Sequence, residues 1–190
     1  MVPVDTAIDP GQPAQLSFAP ATEAPELLAP PVAAALSGID PALSARIRVA
    51  AIDPGLADTA AFCAAYGWAP ESGANCIVVA GRRGERTTYA ACVVLASTRA
   101  DVNGAVRRLL DARRASFAPM ADAVALTGME YGGITPIGLP ADWRVLVDAR
   151  VRDVPDAIVG AGIRAAKIAV PGVVLCALPG VEVVDGLATG

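Results

Sequence analysis

Residues 128–139 read GMEYGGITPIGL and place four glycines and one proline within twelve residues of a chain otherwise rich in Ala and Val. Glycine permits φ above zero and a close approach of the backbone to another molecule, whereas proline fixes φ and removes a donor. Such a loop can hold its remaining N–H groups outward as a cradle for an oxygen-bearing ligand. On composition alone, an ordinary tight connection between a helix and a strand explains the stretch equally well.

The elements around this loop indicate the fold class. Apolar runs bounded by turn residues predict strands, and capped or amphipathic runs predict helices. Strands are predicted over residues 47–52, 74–80, 89–95, 115–118, 145–148, 157–160, 166–170 and 181–184, and helices over 32–36, 60–66, 101–113, 120–127 and 173–178. The strands outnumber the helices and do not alternate with them regularly. We therefore expect an α+β fold with a mixed, partly barrel-like β-sheet and flanking helices.

The composition excludes several kinds of chemistry. The chain has no histidine, which excludes Ser-His-Asp and Cys-His nucleophile systems and imidazole general bases. Its four cysteines are widely spaced among apolar residues, so reduced, buried thiols are expected rather than a disulfide framework. We expect neither a metal site nor a cofactor.

The first 31 residues differ in composition from the rest. They hold seven of the sixteen prolines, which predicts a tail or loosely attached arm at 1–31 before a single domain at 32–190. The beginning of the chain lacks a basic segment and a continuous apolar core, and the apolar runs elsewhere are too short to span a bilayer. The expected location is cytoplasmic, with no membrane association.

Charge is unevenly distributed along the chain. The net charge is −4, yet residues 81–114 contain eight arginines against three acidic residues. An arginine face formed by Arg107, Arg108, Arg113 and Arg114 could guide one end of an RNA, although a solvated helix and hairpin would have the same composition.

The glycine stretch also carries a family resemblance. The pattern G-x-x-x-G-G-I-x-P-x-G-L is followed by the strand ending at Asp148 and by the Gly160-Ala-Gly162 turn. In this order and spacing the chain resembles the YbaK/EbsC family, the editing domain related to the insertion domain of bacterial prolyl-tRNA synthetase. The resemblance runs from about residue 58 to residue 187.

The resemblance implies hydrolysis of the ester that joins a wrong amino acid to the 3′ end of tRNA, with the acceptor end as partner. Because that ester is already activated, a pocket that positions water can suffice without a nucleophile. Gly132, Gly133 and Thr135 are expected as backbone donors and Pro136 as a loop stiffener. Cys76, Tyr131, Asp148, Gly160, Gly162 and Lys167 complete the expected substrate-binding set. The sequence leaves monomer and homodimer open.

The chain departs from the family pattern at the position that matters most for the site. In the family that it resembles, this strand normally carries a Lys-Thr pair, where this chain has Asn75-Cys76. Asn75 can orient a substrate as a neutral group, which would cost about tenfold in rate, since charge-assisted hydrogen bonds are worth about 1.5–3 kcal/mol and neutral ones about 0.5–1.5. Alternatively, Asn75 is a structural strand residue, or the domain binds an aminoacyl-adenosine-like ligand without turnover.

Three further interpretations concern single residues. Lys167 stands where the family that the chain resembles often carries an acidic residue. One interpretation is that the positive charge of the pocket has moved to Lys167; the alternative is a surface lysine on a strand edge. Cys76 as a nucleophile would make the protein a thiol hydrolase, but nothing in the sequence lowers its pKa. Asp148 is expected to brace the glycine loop through backbone N–H groups.

Overall fold

The structure is a computed structural model that describes residues 14–190. The strands are β1 (Ala19–Pro20), β2 (Arg48–Ala51), β3 (Ala74–Arg83), β4 (Arg86–Leu95), β5 (Arg99–Ala100), β6 (Arg114–Phe117), β7 (Arg144–Asp148), β8 (Ala157–Gly160), β9 (Ala166–Val170), β10 (Val181–Val184) and β11 (Ala188–Thr189). The helices are α1 (Pro30–Ser37), α2 (Pro41–Ser44), α3 (Thr59–Tyr66), α4 (Arg107–Leu109), α5 (Met120–Thr127) and α6 (Gly172–Leu175).

The strands form three sheets. A five-stranded mixed sheet has the order β10-β7-β4-β3-β6, in which β7 is parallel to both neighbours and β3 is antiparallel to β4 and β6. A four-stranded antiparallel sheet has the order β1-β2-β9-β8, and β5 pairs with β11 alone. The α+β class with mixed sheets is confirmed, and the described strands do not close into a barrel.

The core is layered because both large sheets are apolar on two faces. Val93 and Val147 of the five-stranded sheet meet Val49 and Ile168 of the four-stranded sheet in one buried cluster. The outer face of the five-stranded sheet is covered by residues 102–110. The outer face of the four-stranded sheet packs on Phe62 of α3. Burial on both sides explains why these strands are nearly continuous Val, Ile and Ala runs.

Local signals set several helix ends. The Asp58 carboxylate accepts from the N–H groups of Ala60 and Ala61 and so caps α3, which ends at Gly67 in the left-handed conformation. The helix predicted over 120–127 has those bounds. The prediction of one long helix over 101–113 is wrong. The segment forms a π-helical turn (Val102–Val106) followed by the short helix α4. The Asp101 carboxylate accepts from the N–H groups of Gly104 and Ala105 and so holds a wider first turn.

The described part of the Pro-rich segment packs against the domain instead of extending as an arm. Strand β1 pairs with β2, and Ala21, Leu28 and Ala29 are buried in the main core. Residues 1–13 of the predicted tail lie outside the described residues. None of the helices in the part of the chain that the structure describes has the length and apolar composition required to cross a membrane.

The glycine loop, residues 128–139, is held against the β8–β9 turn by backbone contacts. The Gly162 N–H donates to the Gly133 carbonyl at 2.7 Å, and the Glu130 N–H donates to the Gly162 carbonyl at 2.8 Å. A Cβ on Gly160 would lie 2.1 Å from the Gly133 oxygen, so only glycine fits beneath the loop. This close approach seats the loop over the end of the four-stranded sheet.

We therefore predict that Gly160→Ala destabilises the fold by about 2–3 kcal/mol, since the added methyl group must displace the loop backbone. Urea unfolding measures the loss. Gly38→Ala is the matched control, because its Cβ would meet the Ala35 oxygen at an ordinary 3.6 Å and should change stability little. Equal unfolding midpoints for the two variants would show that the loop is not seated as described.

Candidate functional site

A cavity of about 430 Å³ opens between β3, the β8–β9 pair, the start of α3 and the glycine loop. Of the residues expected at the site, six line this cavity: Asn75, Cys76, Tyr131, Gly132, Gly160 and Lys167. The remaining lining is a mixture of polar groups at one end (Asp58, Thr59, Arg164) and apolar groups such as Ile77, Ile134 and Ile158. A cavity of this size and mixed character is suited to a small ligand.

Asn75 lies on β3 and faces the first turn of α3. The Thr59 hydroxyl donates to Asn75 Oδ1 at 2.7 Å. Because Oδ1 is engaged as an acceptor, the amide NH₂ of Asn75 is available to donate to a ligand in the cavity. Thr59 therefore fixes the orientation of Asn75, a partnership across 16 residues that the sequence did not reveal.

Lys167 is a buried cation in the cavity wall. Its residue is 6% exposed, and it forms no ion pair with a carboxylate among residues 14–190. Lys167 pairs directly with Gly160 across β8 and β9, so its side chain shares the face that the glycine loop covers. Its ammonium group also lies 6.0 Å from the centre of the Phe62 ring. The strand-edge surface position considered for Lys167 is thus incorrect.

The environment of Lys167 opposes its charge. Burial lowers the pKa of Lys167 below its ordinary value, while the nearby carboxylate of Asp58 acts in the opposite direction. That carboxylate is itself engaged in capping α3. A cation held in this way is stabilised by an anion or by a polarised carbonyl group that enters the cavity.

Arg164 fastens the glycine loop at the cavity rim. Its backbone N–H donates to the Glu130 carboxylate at 2.6 Å, its Nη1 donates to the Tyr131 carbonyl at 3.3 Å, and its Nη2 donates to the Pro54 carbonyl at 3.0 Å. Tyr131 itself is 59% exposed and borders the cavity. Arg164 thus joins three segments of the chain around one opening, a role that no sequence motif indicated.

Cys76 lines the cavity without the surroundings of a nucleophile. Burial raises the pKa of the Cys76 thiol far above its ordinary value, and the neighbouring Cys92 adds to this effect. A catalytic thiolate needs a nearby cation or hydrogen-bond donor that lowers its pKa. The thiol-hydrolase interpretation therefore has no support from the site.

The structure separates some expected loop residues from the cavity. The Gly133 N–H donates to the Glu130 carbonyl at 2.9 Å, so it is not free to bind a ligand. Thr135 is completely buried, and its hydroxyl has no hydrogen-bond partner among the described residues. Pro136 borders a different, apolar depression beside α1. Among the proposed loop donors, Gly132 is the one that reaches the cavity wall.

Asp148 and Gly162 have structural environments away from the cavity. The Asp148 carboxylate accepts from the Arg150 side chain and from the Ala188 N–H, so it braces β11 rather than the glycine loop. Burial raises the pKa of the Asp148 carboxyl, but these hydrogen bonds outweigh it and hold the pKa below its ordinary value. Gly162 packs against Ala29 and Val32.

The arginines border a second groove of about 540 Å³ beside the cavity. Arg107, Arg113 and Arg114 line it together with Arg82, whereas Arg108 does not. Phe117 lines both the groove and the cavity. Arg82 belongs to the arginine-rich segment 81–114, but the sequence could not place it or Phe117 at this groove, because their position depends on the pairing of β3 with β6.

No group of three or more Cys, Asp or Glu side chains within residues 14–190 is placed to hold a metal ion. The polar side chains that line the cavity are the Lys167 ammonium, the Asn75 amide, the Thr59 hydroxyl, the Asp58 carboxylate and the Arg164 guanidinium, around an apolar recess. Such groups can polarise a carbonyl group and position water.

We predict that Lys167→Met raises the free energy of unfolding by about 1–2 kcal/mol at neutral pH, because it replaces a buried cation by an apolar side chain of similar length. Arg46→Met, at an exposed position, should change stability little. Because the pKa of Lys167 is lower in the folded state than in the unfolded state, wild-type stability rises with pH between the two values. The gain in the free energy of unfolding of Lys167→Met over wild type should therefore shrink over that pH interval. A variant less stable than wild type would contradict the assignment of Lys167 as a buried cation that lowers stability.

Comparisons with known proteins agree with this architecture. Residues 53–176 match the family described as aminoacyl-tRNA editing domain. No curated protein matches the sequence.

Solved structures share the fold. A protein proposed to be a trans-editing enzyme for prolyl-tRNA synthetase is 22% identical, with a TM-score of 0.71, over 85% of this chain and 97% of that one. The hypothetical protein APE2540 is 20% identical, with a TM-score of 0.68, over 78% of this chain and 95% of that one. A scaffold protein used to present epitopes is 23% identical, with a TM-score of 0.71, over 85% of this chain and 97% of that one. Because the family match spans most of the chain, this protein belongs to the aminoacyl-tRNA editing domain family.

Proposed function

We propose that this protein is a trans-editing hydrolase that removes the amino acid from mischarged aminoacyl-tRNA by attack of water on the 3′-terminal ester. Family membership supports the substrate class. The observation that carries the proposal is Lys167, a buried cation without an ion pair in the described chain, set in the wall of the cavity. Since aminoacyl-tRNA is made in the cytoplasm, this function places the protein there.

Lys167 takes the electrostatic role in this proposal. When water attacks the ester carbonyl, negative charge develops on the carbonyl oxygen, and an ammonium group in a poorly solvated site stabilises that charge strongly. In the family that the chain resembles, a lysine normally stands at the position of Asn75, whereas here the charge comes from Lys167 on β9. The positive charge is retained while the residue that carries it has changed.

Asn75 and the loop take the orienting roles. The Asn75 amide, fixed by Thr59, donates to the ester or to the attacking water. Gly132 presents backbone at the rim, and the glycine contacts beneath the loop keep that rim in place. The aminoacyl ester is reactive enough that such positioning, without a covalent intermediate, accounts for turnover.

The substitution at Asn75 favours a second candidate, a binding module that holds an aminoacyl-adenosine-like ligand without hydrolysis. In that case Lys167 would neutralise an anionic group of the ligand rather than a transition state. The two candidates differ in whether wild-type protein releases amino acid at all.

The test is release of amino acid from tRNAs mischarged with Ala, Ser, Thr or Cys. We expect wild-type turnover on at least one substrate, a loss of about 100-fold in kcat for Lys167→Met, and about tenfold for Asn75→Ala, because the first removes a charged donor and the second a neutral one. Asn75→Lys should retain or raise the rate.

An exchange variant sharpens the test. Asn75→Lys combined with Lys167→Asn returns the cation to the position that relatives use, and it should recover most of the rate that Lys167→Met loses. Arg46→Met serves as the control for loss of an exposed charge. Absence of wild-type turnover on every substrate, with activity gained by Asn75→Lys, would establish the binding module instead.

A further inference from the structure

The groove beside the cavity concentrates positive charge that the protein itself does not balance. Arg82, Arg107, Arg113 and Arg114 line it, and its lining contains no acidic residue. None of these four guanidinium groups forms an ion pair with a carboxylate among the described residues. On a chain whose net charge is −4, such a cluster is not a consequence of overall composition.

The backbone holds two of these arginines together. Arg82 on β3 and Arg114 on β6 are directly opposite each other in the antiparallel ladder. Side chains of directly opposed residues project from the same face, and like charges in that arrangement destabilise a sheet. Arg113 is fixed next to them, because its N–H donates to the Arg82 carbonyl at 2.9 Å.

Three acidic side chains of neighbouring elements are engaged elsewhere. Asp111 binds the Arg83 side chain at 2.5 Å, and the Asp101 carboxylate caps the π-helical turn. The Asp122 carboxylate accepts from the Tyr89 hydroxyl at 3.3 Å. The repulsion within the groove is thus left for an external anion to relieve.

Phe117 joins the groove to the cavity. It follows the arginines on the same edge strand, lines both depressions and is 65% exposed. A cationic groove beside an exposed aromatic ring is the combination that binds single-stranded nucleic acid, since cations contact the phosphates and the ring stacks on a base.

We propose that this groove binds the sugar–phosphate backbone of the single-stranded 3′ end of the RNA, with Phe117 stacking on a base as the terminal nucleotide turns into the cavity. The inference rests on the proposed function for its direction, because the ester must lie in the cavity. It adds Arg82 and Phe117 as positioning residues and leaves Arg108 out.

Binding of uncharged RNA tests the proposal without requiring hydrolysis. The probes are a fluorescent RNA hairpin with a four-nucleotide single-stranded 3′ extension and the same hairpin with a blunt end, measured by fluorescence anisotropy over a range of salt concentrations. Wild type should prefer the extended hairpin. Arg82→Gln with Arg114→Gln should weaken its binding about tenfold and reduce the slope of log K against log salt by about 1.4, for two phosphate contacts.

The matched control removes the same charge elsewhere. Arg86→Gln with Arg108→Gln alters two exposed arginines outside the groove and should change binding and salt dependence far less. Phe117→Ala should weaken binding of the extended hairpin about tenfold without changing the salt slope, and Phe117→Trp should preserve it. The Arg82/Arg114 variant should unfold at an unchanged or higher temperature, since it relieves like-charge repulsion.

Equal weakening by the two arginine pairs, or equal affinity of wild type for the blunt and extended hairpins, would overturn the proposal. Its failure is distinguishable from failure of the proposed function. If the groove variants lose RNA binding while no mischarged tRNA is deacylated, the groove binds RNA but the proposed hydrolase function is wrong. If deacylation depends on Lys167 while the Arg82/Arg114 variant keeps the wild-type KM and affinity, the hydrolase function is supported and the groove proposal is wrong.

Discussion

The contact between the Gly133 carbonyl and the backbone of residues 160–162 is the constraint on which the site depends. Because Gly160 has no side chain, the glycine loop can lie directly against the end of β8. There the Gly162 N–H donates to the Gly133 carbonyl at 2.7 Å. Gly160 is also the ladder partner of Lys167 across β8 and β9. The loop contact thus forms the rim of the cavity beside the strand position that carries the cation.

Lys167 is the second feature on which the site depends. Asn75 is neutral and its amide oxygen accepts from the Thr59 hydroxyl, so Lys167 supplies positive charge to the cavity, and burial lowers its pKa. A buried lysine without an ion pair in the described residues costs stability, and such groups cluster at functional sites. On the surface, Arg82 and Arg114 of the groove likewise face each other as like charges in one ladder pair.

Features that depend on local chain chemistry were predictable from the sequence. The cap at Asp58, the helix at 120–127 and the apolar strands follow from side-chain patterns within a few residues. Features set by register or by long-range packing were not. The pairing of Lys167 with Gly160, the inward position of Thr135 and the place of Phe117 between two depressions each depend on which strands are neighbours. Lys167 was a candidate because the family that the chain resembles often carries an acidic residue at its position. The sequence could not show that Lys167 is buried.

The central claim is that Lys167 is the electrostatic centre of the cavity, and the chain allows it to be observed alone, since it is the single lysine in the sequence. The direct measurement is NMR titration of the side-chain nitrogen in lysine-labelled protein, free and bound to a phosphonate analogue of an aminoacyl ester of adenosine. We expect a pKa below 10.5 in the free protein and a rise when the anionic analogue binds. An ordinary pKa that the analogue leaves unchanged would contradict the electrostatic role of Lys167.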